Sequence, residues 1–419
     1  MIVKHISKYA LLVALLPFAM FGQTANIGKL YIEPETQMGI VSGFNNKASG
    51  ELINEGELYL YGDFNNDGLV DYIGSTGTVK FEGTQMQRIT GLNMSNLYNV
   101  IFNNQTPETA FELSGGISID NDAEFQNGIL TNEGLGGTIF FGESAEALGV
   151  GDESHVNGPV VKYGDTDFTY PIGNLDYYRK ASIGTLKEKA EITAQYFYEN
   201  PLTKFSEANK DKEIEQIDNA EYWAITGFKD EEGFILSLSW DEIRTTPTGL
   251  IANGSVLSII KWDTNQNKWS YIGGTVDMEN KMVTAPVTGS GVYTLASIEA
   301  RADCGNFGVN NAITLNGDQM NSFLRFNIAD SFSCGEVQNL EVVVYNRWGV
   351  KLYESMDYGD SYSEDVFKGY NVSGGLEVIG KGGPLPTGTY FYTVKAVFKD
   401  TTGLQKAYSK VGYLYLISD

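Results

Sequence analysis

Asp63-Phe-Asn65-Asn-Asp67-Gly68-Leu-Val-Asp71 sets oxygen-bearing side chains at alternating positions around a glycine. That pattern suits a hard cation such as Ca2+, which takes oxygen ligands, with the glycine supplying a sharp turn. In a helix-flanked calcium loop the last ligand would fall at Gly74, so the bidentate carboxylate is missing and another segment must complete the site. The same residues also make ordinary Asn/Asp/Gly turns without any metal. Acid–base chemistry has less to work with, because the chain has only 2 histidines and His5 lies in a segment expected to be removed. His155 sits in an SHVNGP turn with no nucleophile motif near it, and is expected to be a solvated surface side chain. Glycoside hydrolysis needs only two carboxylates, but among 53 acidic residues such pairs carry no information. No G-x-S-x-G, H-E-x-x-H or P-loop occurs. The chain reads as a protein that is not an enzyme.

The wider composition agrees. The 419 residues include 48 Gly, 25 Tyr and 22 Phe, which points to a turn-rich, aromatic β protein. Lys and Arg number 29 against 53 acids, giving a net charge of −24. Such a balance repels phosphate backbones and anionic lipid, so no nucleic acid partner is expected. Residues 1–23 carry Lys4 and Lys8 ahead of a short apolar run ending at Gly22, the pattern of a secretory signal peptide. The expected destination is therefore outside the cytoplasm.

Residues 24–173 alternate in short runs such as GELYLYGDF, GTVKFEG and GTIFFGE, separated by Gly, Asn and Asp. Leu58, Val79, Val100, Ile119, Ile139 and Val160 mark strand centres about 20 residues apart. A period of that length fits a β-solenoid, whose coils must stack to bury their apolar faces. Evenly spaced strands of a sandwich would look similar. Residues 174–299 read as a β-sandwich, with alternating runs such as AEITAQYFY, FILSLSW and VLSIIKWD. Residues 206–219 are charged and are either helical or a solvated loop. Trp223, Trp240, Trp262 and Trp269 fall in this unit, as core residues or as a stacking platform for sugars.

The last part carries the most specific residues. NLEVVVYNRWGVKLYES reads as strand, turn at Asn346, Arg347, Trp348 and Gly349, and strand. LPTGTYFYTVKAVFKD starts with a turn at Leu385, Pro386 and Gly388 and continues as a strand with Tyr390 and Tyr392 on one face. KVGYLYLISD, with Tyr413 and Tyr415, is a final strand that is either locked in a sheet or offered to a partner.

These blocks, within residues 304–419, resemble the gliding-motility-associated C-terminal domain, the type B sorting domain of type IX secretion. The resemblance implies an Ig-like β-sandwich recognised by the type IX translocon and held at the cell surface by an outer-membrane protein of the PorP/SprF type. It assigns sorting and partner binding to the residues of the three blocks just named. Residues 154–173 also resemble a segment of large secreted Bacteroidetes proteins that closes a β-helix-like region and leads into a further β domain. Two departures stand out. The family's PNGDGxND segment is LNGDQMNS here, and its Trp-x-Gly is Phe367-Lys368-Gly369, followed by a long insert around GGLEVIGKGGP. Cys304 and Cys334 are the only cysteines, and in an exported domain they are expected to form a disulfide, worth about 3–4 kcal/mol.

The expected architecture is all-β: an N-terminal β-solenoid-like region, a middle β-sandwich and a C-terminal Ig-like β-sandwich. The expected function is an exported surface adhesin or structural element, associated with the outer membrane, whose ligand is a protein or polysaccharide. The alternatives are a subunit of a secretion or gliding-motility assembly, and a carbohydrate-active enzyme or binding module.

Overall fold

The computed structural model describes residues 22–107, 109–230, 232–242, 250, 257–298, 308–318, 320–327, 336–359, 365–372, 382–399 and 405–418. Most of the leader, the segment after residue 298, Cys304, Cys334 and most of the insert lie outside the described residues. Of the described residues 57% are in strands, and the one helix among them is a short 3-10 turn, Pro201–Thr203. The protein is all-β.

About seven coils of parallel β-solenoid come first. Each coil gives a short strand to each of three sheets, as Phe44–Asn46, Glu51–Asn54 and Glu57–Leu60 do in the second coil. Every second side chain points inward, so like residues stack from coil to coil. Phe44 pairs with Phe64, and Val79 pairs with both Leu58 and Val100. Ring centroids lie 6.1 Å apart for Phe44 and Phe64, 5.6 Å for Phe81 and Phe102, and 5.2 Å for Phe102 and Phe125. At one corner a column of amides runs alongside. Asn26 Nδ2 donates to Asn46 Oδ1, and Asn46 Nδ2 to Asn66 Oδ1, each at 2.9 Å. Buried amides need partners, and the repeated Phe-Asn-Asn of successive coils supplies them.

The row of strand centres proposed from spacing crosses between sheets. Leu58, Val79 and Val100 share one sheet, but Val100 pairs with Ala123, whereas Ile119 lies in another sheet opposite Phe141. Coil length is the reason. It is 18 residues from Leu52 to Val70 and 26 from Leu130 to Val156, because the corners absorb insertions. A fixed period slips by one sheet under that variation.

The strand Val160–Gly164 changes the architecture. It pairs in parallel with Thr138–Phe141 on one edge and antiparallel with Ala190–Phe197 on the other. One solenoid sheet therefore runs on as the antiparallel sheet of a sandwich through Tyr222–Thr226, Gly291–Ile298, Leu257–Asp263 and Lys268–Gly273. A second, five-stranded sheet faces it, with Gly233–Ser239 and Met282–Thr288 at its centre. Phe141, Phe168 and Tyr170 carry the core across the join, with centroids 5.1 and 4.9 Å apart. The buried Lys162 ammonium donates to Gly142 O, Glu143 O and Ala145 O, closing the corner of the preceding coil. All four tryptophans of this unit are buried, so they pack the core and offer no sugar platform. The charged stretch at 206–219 is neither helix nor plain loop; Ile214–Ile217 pairs with Gly291–Ile298 as a short strand.

A buried ionic cluster ties the sandwich together. Arg179 Nε lies 3.3 Å from Glu221 Oε2, which also accepts from Tyr196 OH at 2.7 Å. Burial, with the Glu221 carboxylate beside it, holds the Asp218 carboxyl well above the usual carboxylate range. The folded chain thus keeps a proton there that the unfolded chain loses above about pH 4. Stability from this group is complete in acid and falls as pH rises from about 4 towards the folded value.

Two outcomes follow for stability. Asp218→Asn keeps an acceptor for Ala220 N, now 2.8 Å from Asp218 Oδ1, and removes the ionisation cost. Its melting temperature is expected to exceed wild type at pH 7 and to match it near pH 4, measured by calorimetry; an equal change at both values would sink the assignment. Phe81→Ala opens a hole in the ring column and is expected to cost about 3–5 kcal/mol in urea unfolding. A loss below about 1 kcal/mol would mean that the column does not hold the coils together.

Candidate recognition surface of the C-terminal domain

The C-terminal unit is built on a five-stranded sheet in the order Ala312–Thr314, Gln405–Ile417, Gly388–Lys399, Glu336–Tyr345 and Lys351–Ser355. Long alternating runs make its two central strands, and their inward residues form a core separate from that of the solenoid and sandwich. The final strand is locked in. It pairs antiparallel with Gly388–Lys399 along its length and parallel with Ala312–Thr314. Thr387 Oγ1 donates to Ser418 O at 2.8 Å, tying the start of one strand to the end of the other.

The residues assigned to sorting divide by face. Leu385, Tyr390 and Tyr392 are buried, with Tyr390 OH donating to Pro386 O at 2.8 Å. Burial pushes the Tyr390 hydroxyl up to about 12, so the ring stays neutral and serves packing. Pro386 is exposed and Gly388 half-buried at the turn that these residues hold. Tyr413, Tyr415 and Ile417 point the other way and are 51%, 46% and 41% exposed. Register sets Tyr413 beside Phe391 and Phe391 beside Tyr345, so one aromatic row crosses three strands. The outer face thus presents hydroxyl-tipped rings to solvent, a surface able to gain both apolar contact and hydrogen bonds from a partner.

The turn at Asn346–Gly349 has a different role. The buried Asn346 side chain accepts from Trp348 N and Val350 N, each at 2.9 Å, and so shapes the turn. The exposed Arg347 guanidinium covers the Trp348 ring at 4.8 Å. Gly349 has a positive φ of 71° and is pressed onto the middle sandwich. A methyl group there would meet Phe234 N at 2.5 Å, and one on Gly233 would meet Gly349 O at 2.5 Å. Thr275 Oγ1 donates to Val411 O at 2.8 Å, a second contact between the sandwich and the C-terminal sheet. The sandwich residues of this seat carry no sequence signal beyond a glycine at the start of a strand.

The departures from the family pattern are absorbed locally. In LNGDQMNS, Asp318 accepts from Met320 N at 2.8 Å and from the Asn316 amide at 2.7 Å, so its oxygens serve the loop's own turns. Phe367 is buried in the core, and Gly369, at φ 81°, lies against Leu315 and Leu416.

Elsewhere, the calcium pattern is laid along two strands, Phe64–Asn66 and Leu69–Asp71, of two different sheets. Asp63 accepts from Arg88 N at 2.8 Å and Asp67 from Leu92 N at 3.3 Å, both in the next coil. Asn65 donates to Asn45 Oδ1 at 3.1 Å, and Asp71 accepts from Tyr72 N at 3.0 Å. Among the described residues no three His, Cys, Asp or Glu side chains converge as for a metal ion. His155 is not a surface residue. It is fully buried, with Nδ1 3.0 Å from Gly151 O and Nε2 3.0 Å from Leu175 O. Its neighbours VNGP and the strand that follows close the solenoid, so the ring is enclosed by the join.

No curated protein and no solved structure matches this chain. Residues 307–416 match the family model described as the CHU_C type IX secretion signal domain. The C-terminal unit is the sorting domain of a type IX secretion substrate, and the chain is exported from the cell by that machinery.

Proposed function

We propose that this chain is a non-catalytic surface protein, an adhesin or structural element. In this reading the C-terminal domain is held at the outer membrane by a PorP/SprF-type partner, and the solenoid and sandwich point outward. The observation that carries the reading is the sorting domain with its exposed row of Tyr413 and Tyr415. A stacked solenoid suits outward display because each coil needs only its neighbours to be stable. His155 is not offered to a substrate, because its two ring nitrogens both face backbone carbonyls inside the protein.

Deletion of residues 307–419 in the native host is expected to leave the passenger in the periplasm, while the full chain is shaved from intact cells by protease. Equal surface exposure of both forms would overturn the sorting role. A finer test uses Tyr413→Ser with Tyr415→Ser, which alters the exposed face and leaves the core intact. This double variant should keep its melting temperature within a few degrees and lose surface retention, appearing in the medium or the periplasm. Tyr392→Ala, by contrast, should unfold the domain, at about 3–5 kcal/mol for an aromatic truncation. Wild-type retention of the double variant would remove this face from the partner contact.

A further inference from the structure

At the end of the solenoid one corner differs from the rest. In the first three coils the chain crosses this corner in a short link, as between Ile40 and Phe44 or Leu60 and Phe64. In the later coils the same corner runs through Gln105–Pro107 and the single residue Gly128, and the last crossing, between Leu148 and Val156, is much longer. The turn joining Ile172–Asn174 to Tyr177–Tyr178 stands beside them. Together they wall an open cleft of about 720 Å3, lined by Thr106, Asn127, Asp152, Glu153, Asp176 and Tyr177 among others. That volume lies within the range of about 300–1,000 Å3 that small-molecule sites occupy.

The walls are set before any ligand arrives. His155 spans them, with one ring nitrogen at Gly151 O and the other at Leu175 O. Asp152 Oδ1 accepts from Tyr178 N at 3.0 Å, a second tie between the loop and the hairpin. On the far side Asn104 Oδ1 accepts from Thr106 N at 3.0 Å, and Asn127 Nδ2 donates to Asn103 Oδ1 at 2.9 Å. The Tyr177 ring is backed by Tyr198 at 4.4 Å, which fixes its plane.

We propose that this cleft binds a neutral oligosaccharide. Its lining holds three carboxylates and no lysine or arginine, which disfavours phosphates, sulfates and uronic acids. Carboxylates accept paired hydroxyl donors, an amide and a threonine hydroxyl add further polar partners, and a fixed aromatic ring packs on the apolar face of a sugar. One open side suits a chain that enters and leaves. The inference rests on the reading of the passenger as the outward binding element, and names the ligand class that this element takes.

The test is calorimetric titration of the purified mature chain with cellohexaose, xylohexaose, mannohexaose, maltohexaose and chitohexaose. Polygalacturonate and heptalysine serve as anionic and cationic contrasts. At least one neutral hexasaccharide is expected to bind and polygalacturonate to fail. Glu153→Gln and Asp176→Asn are changes at exposed positions that keep the His155 contacts to Gly151 O and Leu175 O and leave the core alone, and each should weaken binding by about tenfold with little change in melting temperature. Tyr177→Ala should abolish binding, but its packing on Tyr198 makes the two acid variants the deciding ones. No binding of any of the five sugars overturns the proposal, as does sugar binding that both acid variants leave intact, or heptalysine binding in the sugars' place. Purified protein is used throughout, so failure here with export intact discards the glycan site alone. Sugar binding by a chain that never reaches the surface would discard the display reading instead.

Discussion

A parallel solenoid leaves a full edge of unpaired backbone donors and acceptors wherever its coils stop, and its core lies open at the same place. The strand Val160–Gly164 meets that constraint at the C-terminal end. Within its own sheet it is the last strand paired in parallel and the first paired antiparallel, so that hydrogen-bond ladder runs on into the sandwich. The remaining architecture is arranged around this strand. The sandwich core begins from the aromatic residues that follow it, Lys162 fills the corner beneath it, and His155 braces the loops beside it. The cap is the sandwich itself, which has a further sheet to carry other contacts.

Much of this was legible in the sequence where the physics is local. Alternation marks a strand wherever one face is buried, whereas the column of rings and amides behind Phe-Asn-Asn shows only once the coils are stacked, and Asn65 reads from sequence as a turn or cation ligand. Interior aromatics such as Trp223 and Trp269 were readable as core because so large a ring needs burial. Register was less legible. Ile119 was set in the wrong sheet because a coil keeps its three faces while its corners change length, and spacing alone registers only the sum. His155 was misread for a related reason: SHVNGP has the composition of an exposed turn, and only the later hairpin, residues 172–178, covers it.

The C-terminal domain shows the same division between local and distant causes. That Tyr390, Tyr392, Val394 and Ala396 share a face follows from a period of two, and the structure buries all four. That Tyr413 and Tyr415 lie opposite them follows only from the pairing of the final strand, which the sequence left open between a sheet and a partner. The Asn346 side chain was assigned to a turn with partner binding in view, and its oxygen is spent on shaping the turn. Which protein surface that turn meets was beyond reach, since the meeting depends on two glycines, Gly233 and Gly349, more than a hundred residues apart in sequence.

That meeting sets a limit on modularity. Everything that makes the C-terminal sheet a stable object, from Ile313 to Leu416, travels with it if the domain is grafted onto foreign cargo. The seat does not. Gly233 and the Phe234 backbone stay behind with the native passenger, and a graft exposes the back of Gly349 to water or to whatever surface the new cargo offers. Portability of the address and orientation of the addressed protein are therefore separate properties of this molecule. The core that the first needs lies within the domain, whereas the second depends on a contact too close to admit even a methyl group.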